Sequence, residues 1–398
     1  MVLDWNAYPV TTPWTPRTRC RRDHGSRACL TPTGSTAKRY CEMHMLSLPL
    51  LIGVFLAAAL ATWLAGTRLT AATDVLSTRL GLGEALAGMI LLAIATNLPE
   101  IAITVSAARE HNLVLAIGNI LGGIALQTVV LVFLDIFGLK KADPLTYRAA
   151  SLVIVLEGLL VVAVLTLVMV GHQLSSALLF GWLPPVETII AIVWIAGVYL
   201  IGKARTGLPW HERGFAPPDG QRERRGHSKV KKREAYERQG VTTGRVAMRF
   251  VVSAVVTLVA GVALELSSGA IATRVGISGF VFGATILAAV TALPEIATGM
   301  EAVRLHDYQL AFSDIFGGNA FLPVLFLVAV LLSGTNVLQL ALKADMYLAG
   351  VSILLTIVYL GGLIVRPRKQ ILRMGIDSLC VLLIYVLGVV GLLFVSKG

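Results

Sequence analysis

Charge is scarce in this chain. Only 14% of its 398 residues are Asp, Glu, Lys or Arg, against 56% hydrophobic, where a soluble domain carries roughly 25% charged residues. With a mean hydropathy of +0.77, a water-soluble fold is excluded. Ten-residue stretches of alternating hydrophobicity are absent, which excludes a transmembrane barrel and leaves helices to satisfy the backbone in lipid. No apolar stretch precedes residue 46, so a secretory signal peptide is not expected. Histidine clusters, an activated nucleophile and a phosphate-cradling loop are missing as well, which sets an intramembrane enzyme aside.

Apolar residues gather instead into runs long enough to cross a bilayer, which takes roughly 20 residues per helix. Ten qualify: about 46–66, 81–108, 111–137, 149–171, 180–202, 247–270, 276–303, 308–333, 337–365 and 374–395. The expected fold is an all-α membrane protein of ten transmembrane helices. Its parts are a basic N-terminal tail (1–45), a first five-helix half (46–202), a basic cytoplasmic linker (203–246) and a second five-helix half (247–398).

The halves repeat. Laying residues 79–135 over 274–330 at a constant offset of 195, without a gap, pairs Arg79 with Arg274, Gly81 with Gly276, Gly88 with Gly283 and Thr96 with Thr291. Leu98-Pro99-Glu100-Ile101-Ala102 then meets Leu293-Pro294-Glu295-Ile296-Ala297, and Gly122-Gly123 meets Gly317-Gly318. Shared Leu, Ile and Ala are common coincidences in apolar sequence; ungapped Pro-Glu and Gly-Gly pairs are not, so the segment is an internal duplication. Five spans per half is an odd number, which gives two inverted five-helix repeats, a plan of secondary transporters with binding near the midplane. Loop charge agrees. With the first helix starting outside, Arg68, Arg79, Lys140, Lys141, Arg148, the linker, Arg304, Arg366, Arg368, Lys369 and Arg373 fall inside, and Arg109 and Arg274 fall outside, as the positive-inside rule favours.

In the linker, Arg222, Arg224, Arg225, Lys229, Lys231, Lys232 and Arg233 read as a loop facing anionic headgroups rather than a nucleic-acid contact. The tail breaks the charge pattern, because its seven Lys and Arg residues from Arg17 to Arg39 would lie outside. It holds three of the four cysteines, and Cys20, Cys29, Cys41 and His44 are spaced like a loose Cys3His zinc knuckle. The alternative is an upstream extension, with translation starting at Met43 or Met45. No other cofactor is expected; the expected partners are the lipid bilayer and transported cations.

A carboxylate within a membrane span is costly enough to mark function, and Glu100 and Glu295 are two in matching places. Proline at 99 and 294 cannot donate to the carbonyls of Ala95 and Val290, so each helix is expected to kink and leave carbonyl oxygens free beside a glutamate. Such oxygens suit a hard cation, calcium or sodium in preference to magnesium with its tight octahedron. The Gly-Gly pairs allow close helix approach or a bend, or serve packing alone. Glu157, Glu187, Glu265 and Asp135 also lie in spans, without a counterpart at the 195 offset; Asp345 and Asp377 sit near helix ends, where solvation is expected. A channel using the same glutamates is the competing class, although channels build such rings by oligomeric symmetry.

These residues resemble the two α-repeats of the calcium/cation antiporter superfamily, sodium/calcium exchanger type. There a Gly-Thr-Ser-x-Pro-Glu motif is followed in the next helix by Gly-Asn-x-x-Gly-Ser-Asn-x-x-Asn/Asp. The resemblance implies Glu100 and Glu295 as central ligands, with Thr96 and Thr291 offering backbone oxygen. It matches the second motif to Gly118–Gln127, with Asn119 and with Gln127 at an amide ligand, and to Ser313–Asn319 in the other half. The family's serines are replaced by Asn97 and Ala292 and by Gly123 and Gly318, and its last polar position by Leu322. Asp314, two turns before Leu322, is expected to restore that carboxylate or to form a second ion station. The implied activity is antiport of calcium against sodium or protons, with sodium/proton or other divalent-cation exchange as the alternative.

Overall fold

The computed structural model describes residues 46–79, 94–110, 112–139, 143–174, 184–206, 242–304 and 306–395. The candidate zinc residues Cys20, Cys29, Cys41 and His44, most of the linker, and Gly81 and Gly88 lie outside them.

The described residues form helices α1 (Leu48–Arg79), α2 (Leu98–Glu110), α3 (Leu113–Gly138), α4 (Leu152–Gln173), α5 (Pro185–Thr206), α6 (Thr243–Val275), α7 (Leu293–Arg304), α8 (Tyr308–Phe321), α9 (Lys343–Val365) and α10 (Ile376–Val395). Short helices join them, and the strand content among the described residues is a two-residue hairpin at Gln370–Ile371 and Met374–Gly375. Eight of the described helical segments are long and apolar enough to cross a membrane. The protein is a multi-pass integral membrane protein. Helices α3 and α8 are central, buried along most of their length, whereas α5 and α6 turn Ile192, Ile195, Val255 and Val259 outward. In a membrane protein such apolar exposure is the lipid face rather than a defect.

Helix boundaries carry the duplication into three dimensions. The starts of α6, α7 and α8 fall 195 residues after those of α1, α2 and α3; the starts of α9 and α10 fall 191 after those of α4 and α5. The second half is therefore four residues shorter between its third and fourth long helices. The first helix corrects an expectation: it does not stop near residue 66 but continues to Arg79, because 67–79 contains neither glycine nor proline to end it. Arg68 is accordingly helical and not in a loop.

The connections pair across the halves. The segment after α3 meets the segment before α10: Leu145 and Gly375 donate backbone N–H bonds to the two oxygens of Asp135 at 2.8 and 2.7 Å, and Arg368 bonds the Tyr147 hydroxyl. The end of α4 meets the segment before α9, where His172 Nδ1 lies 2.8 Å from the Leu338 carbonyl and Gln339 donates to Leu174 O at 2.6 Å. Asp345 and Asp377 are not solvated, as had been expected, but 0% and 5% exposed. Asp345 accepts the Leu342 N–H at 2.6 Å and so caps α9. Asp377 packs against Gly362 and Gly375, whose missing side chains make room for it.

Candidate cation site

Both Leu-Pro-Glu motifs open a new helical segment. The chain is helical through Thr96, turns at Asn97 and restarts as α2; in the second half a π-helical turn at Gly283–Leu287 and one α-turn lead to Ala292, after which α7 begins. The breaks lie two residues before Pro99 and Pro294, where the missing N–H and the ring leave the preceding turn without its normal bond.

Each proline is seated on a glycine of the opposite half. A Cβ on Gly66 of α1 would stand 2.9 Å from the Pro294 ring, and one on Gly261 of α6 would stand 3.0 Å from the Pro99 carbonyl and 2.6 Å from Ala102 Cβ. Residues 66 and 261 are themselves 195 apart, so one contact is made twice. At α3 the glycines act unequally. Gly118 and Gly122 let the backbones of Phe280 and Ala284 press against the helix, and Gly283 lies on the Leu115 carbonyl. Among the described residues, Gly123 and Gly317 have nothing within 4 Å of a built Cβ, while Gly318 faces the Asn97 amide at 3.1 Å. Only one glycine of the first Gly-Gly pair therefore serves close approach.

Glu100 and Glu295 are 1% and 2% exposed, and no oxygen of either has a hydrogen-bond partner among the described residues. They are electrostatic neighbours, and Asp314 is a further acidic neighbour of Glu295. The Thr291 hydroxyl stands beside Glu100 and gives its proton to Ala288 O at 3.2 Å. Asn97 Nδ2 reaches the Thr96 hydroxyl at 3.4 Å. Both amides on α3, Asn119 and Gln127, are buried, with side-chain atoms that find no partner among the described residues. Asp314 is held by Thr298, whose hydroxyl donates to Oδ2 at 2.7 Å. No three acidic, His or Cys side chains among the described residues stand close enough to ligate one metal.

Sequence reasoning missed several of these groups. Thr298, one turn after Glu295, had a local signal in its spacing but no counterpart in the first half, where Ile103 stands. Asn319 bridges the halves by donating to the Thr128 hydroxyl at 3.1 Å and Ile124 O at 3.4 Å; nothing near residue 128 announces that contact. Glu265 on α6 accepts from Ser106 at 2.9 Å and Asn112 at 3.1 Å, which ties it to α2 and the following turn.

A family model described as sodium/calcium exchanger protein matches residues 50–201 and 246–394. The inner membrane protein YrbG of Escherichia coli strain K12 is 26% identical over 268 residues, 65% of this chain and 73% of that protein. Among solved structures, the H+/Ca2+ exchanger CAX superposes with a TM-score of 0.59 at 14% identity, covering 90% of this chain and 88% of its own. The sodium-calcium exchanger NCX_Mj superposes with a TM-score of 0.53 at 16% identity, covering 86% and 99%. These likenesses are of fold.

Proposed function

This chain belongs to the sodium/calcium exchanger protein family, and from that premise we propose that it is a secondary antiporter that exchanges calcium for sodium or protons around Glu100 and Glu295. The carrying observation is that two duplicated, fully buried carboxylates neighbour each other and lack hydrogen-bond partners among the described residues. Two bare negative charges in apolar surroundings repel, and a divalent ion neutralises both. When calcium leaves, sodium ions or protons take its place, which makes exchange obligatory. Since acidic groups do not converge in threes among the described residues, calcium's six to eight oxygens come largely from neutral groups: the carbonyls freed before the prolines, Thr96 and Thr291, and the amides of Asn97, Asn119 and Gln127. Asp314 acts beside Glu295 as a second station, steadied by Thr298.

The ten-span plan of two inverted halves belongs to the same proposal. The repeated helix starts and the crosswise pairing of connections support it. Access alternates as one part of the bundle moves against the other about the midplane. The location that fits is the plasma, or inner, membrane, with lipid and cations as partners. CAX is described as coupling calcium to protons and NCX_Mj as a sodium-calcium exchanger, so both coupling ions occur within this fold.

The test is radioactive calcium uptake into proteoliposomes, with outward sodium and proton gradients imposed in turn. Uptake driven by one gradient names the coupling ion. Uptake by neither, or a conductance that shows no counterflow, overturns calcium antiport.

A further inference from the structure

Two threonines outside the Leu-Pro-Glu motifs repeat with the same spacing and share an unusual state. Thr62 on α1 and Thr257 on α6 are 195 residues apart, both are 0% exposed, and neither hydroxyl has a hydrogen-bond partner among the described residues. A helical threonine ordinarily donates to the carbonyl four residues earlier. This chain does so at Thr73, Thr128, Thr166, Thr285 and Thr356, at 2.6 to 2.9 Å. Thr62 and Thr257 forgo that bond although each lies within an uninterrupted helix. An unmade hydrogen bond in a buried place costs about 1–3 kcal/mol. Thr104, Thr146 and Ser268 also go without one, but among the hydroxyls of the described residues the omission recurs at the 195 offset at Thr62 and Thr257 alone.

Their position indicates what they face. Residues four apart share a helix face, and Thr62 and Thr257 lie one turn before Gly66 and Gly261, the glycines that seat Pro294 and Pro99. Phe55 of α1 meets Phe282 as Gly66 meets Pro294, so α1 runs parallel to the segment it packs on, which sets Thr62 at the level of the turn before Pro294. Thr257 holds the matching place before Pro99, beside the carbonyls that proline leaves without a donor. That region is also where hydroxyls are short: alanine stands at 292, and Gly123 leaves open space.

Resting on the antiporter reading above, we propose that Thr62 and Thr257 supply two further oxygens to the transported cation, from the helices that do not carry the acidic motif. Hydroxyl oxygen is a hard ligand suited to calcium or sodium. Helices α1 and α6 then do more than pack against the site: they touch the ion, and their position relative to α2 and α7 changes its coordination.

The experiment compares calcium uptake by wild type, the double variant T62V/T257V and the double variant T62S/T257S, under whichever gradient drives the wild type. Valine keeps the shape and removes the oxygen. The expected result is about a tenfold rise in the calcium concentration for half-maximal uptake in the valine pair, with the maximal rate within about twofold. The serine pair and T73V, whose hydroxyl serves only its own backbone, stay at the wild-type value. The calcium-dependent rise in melting temperature gives a readout without flux, and the single variants T62V and T257V carry the comparison if the double variant does not purify as a monodisperse species. An unchanged half-maximal concentration in the valine pair, or an equal loss in the serine pair, overturns the proposal while leaving antiport intact. Wild-type protein that takes up no calcium under either gradient overturns the antiporter reading, and this inference falls with it.

Discussion

At the level of single residues, the site is defined by what its carboxylates lack. Glu100 and Glu295 meet no hydrogen-bond partner among the described residues, whereas Asp135 accepts two backbone N–H bonds and Glu265 two side-chain ones. A satisfied carboxylate holds structure together. Asp377 also lacks hydrogen-bond partners among the described residues, so what marks Glu100 and Glu295 is that two orphaned carboxylates recur at the same offset and neighbour each other. E100Q and E295Q are therefore each expected to lower calcium uptake at least about 100-fold, since each removes a charge that the divalent ion needs, and the neutral amide repays little of it. D314N is expected to be milder, about tenfold, because its remaining amide oxygen still accepts the Thr298 hydroxyl. Proteoliposome uptake measures all three. Equal losses in D314N and E295Q would place Asp314 in the same shell as the glutamates and not in a second station.

Helix by helix, the duplication was legible in the sequence because proline, glutamate and glycine are distinctive in apolar sequence, and three pairs of helices start at the offset those residues gave. What the sequence did not disclose was which glycine of a pair is used. Gly122 and Gly123 read alike, yet Gly122 lies under the Ala284 backbone and Gly123 beside open space. The difference is set by the neighbouring helix, which a one-dimensional pattern does not contain. The same holds for Asp345 and Asp377, where a position near a helix end suggested solvation and tertiary contacts bury both. G122S is accordingly expected to destabilise by about 1–3 kcal/mol, since its Cβ collides with backbone that cannot step aside. G123S fills a void and leaves the melting temperature near wild type. Thermal unfolding in detergent separates the two; equal melting temperatures would mean that the α3 contact with Ala284 yields more readily than its closeness implies.

For the molecule as a whole, sidedness follows from the pairing of connections. The segment after α3 packs on the segment before α10, and the end of α4 packs on the segment before α9. On the proposed plan of five crossings per half, the first pair lies on one side of the membrane and the second pair on the other. Loop charge assigns the sides: Arg366, Arg368, Lys369 and Arg373 accompany the first pair, which the positive-inside rule sets in the cytoplasm. With the native cysteines replaced, a single cysteine at Ile371 is therefore expected to react with a membrane-impermeant maleimide only when the inner face is open to the reagent. One at Thr335 is expected to react in intact cells. Were both positions to react from one side, the halves would not be inverted, and Glu100 and Glu295 would lose the geometry that lets one ion meet both while opening to either side.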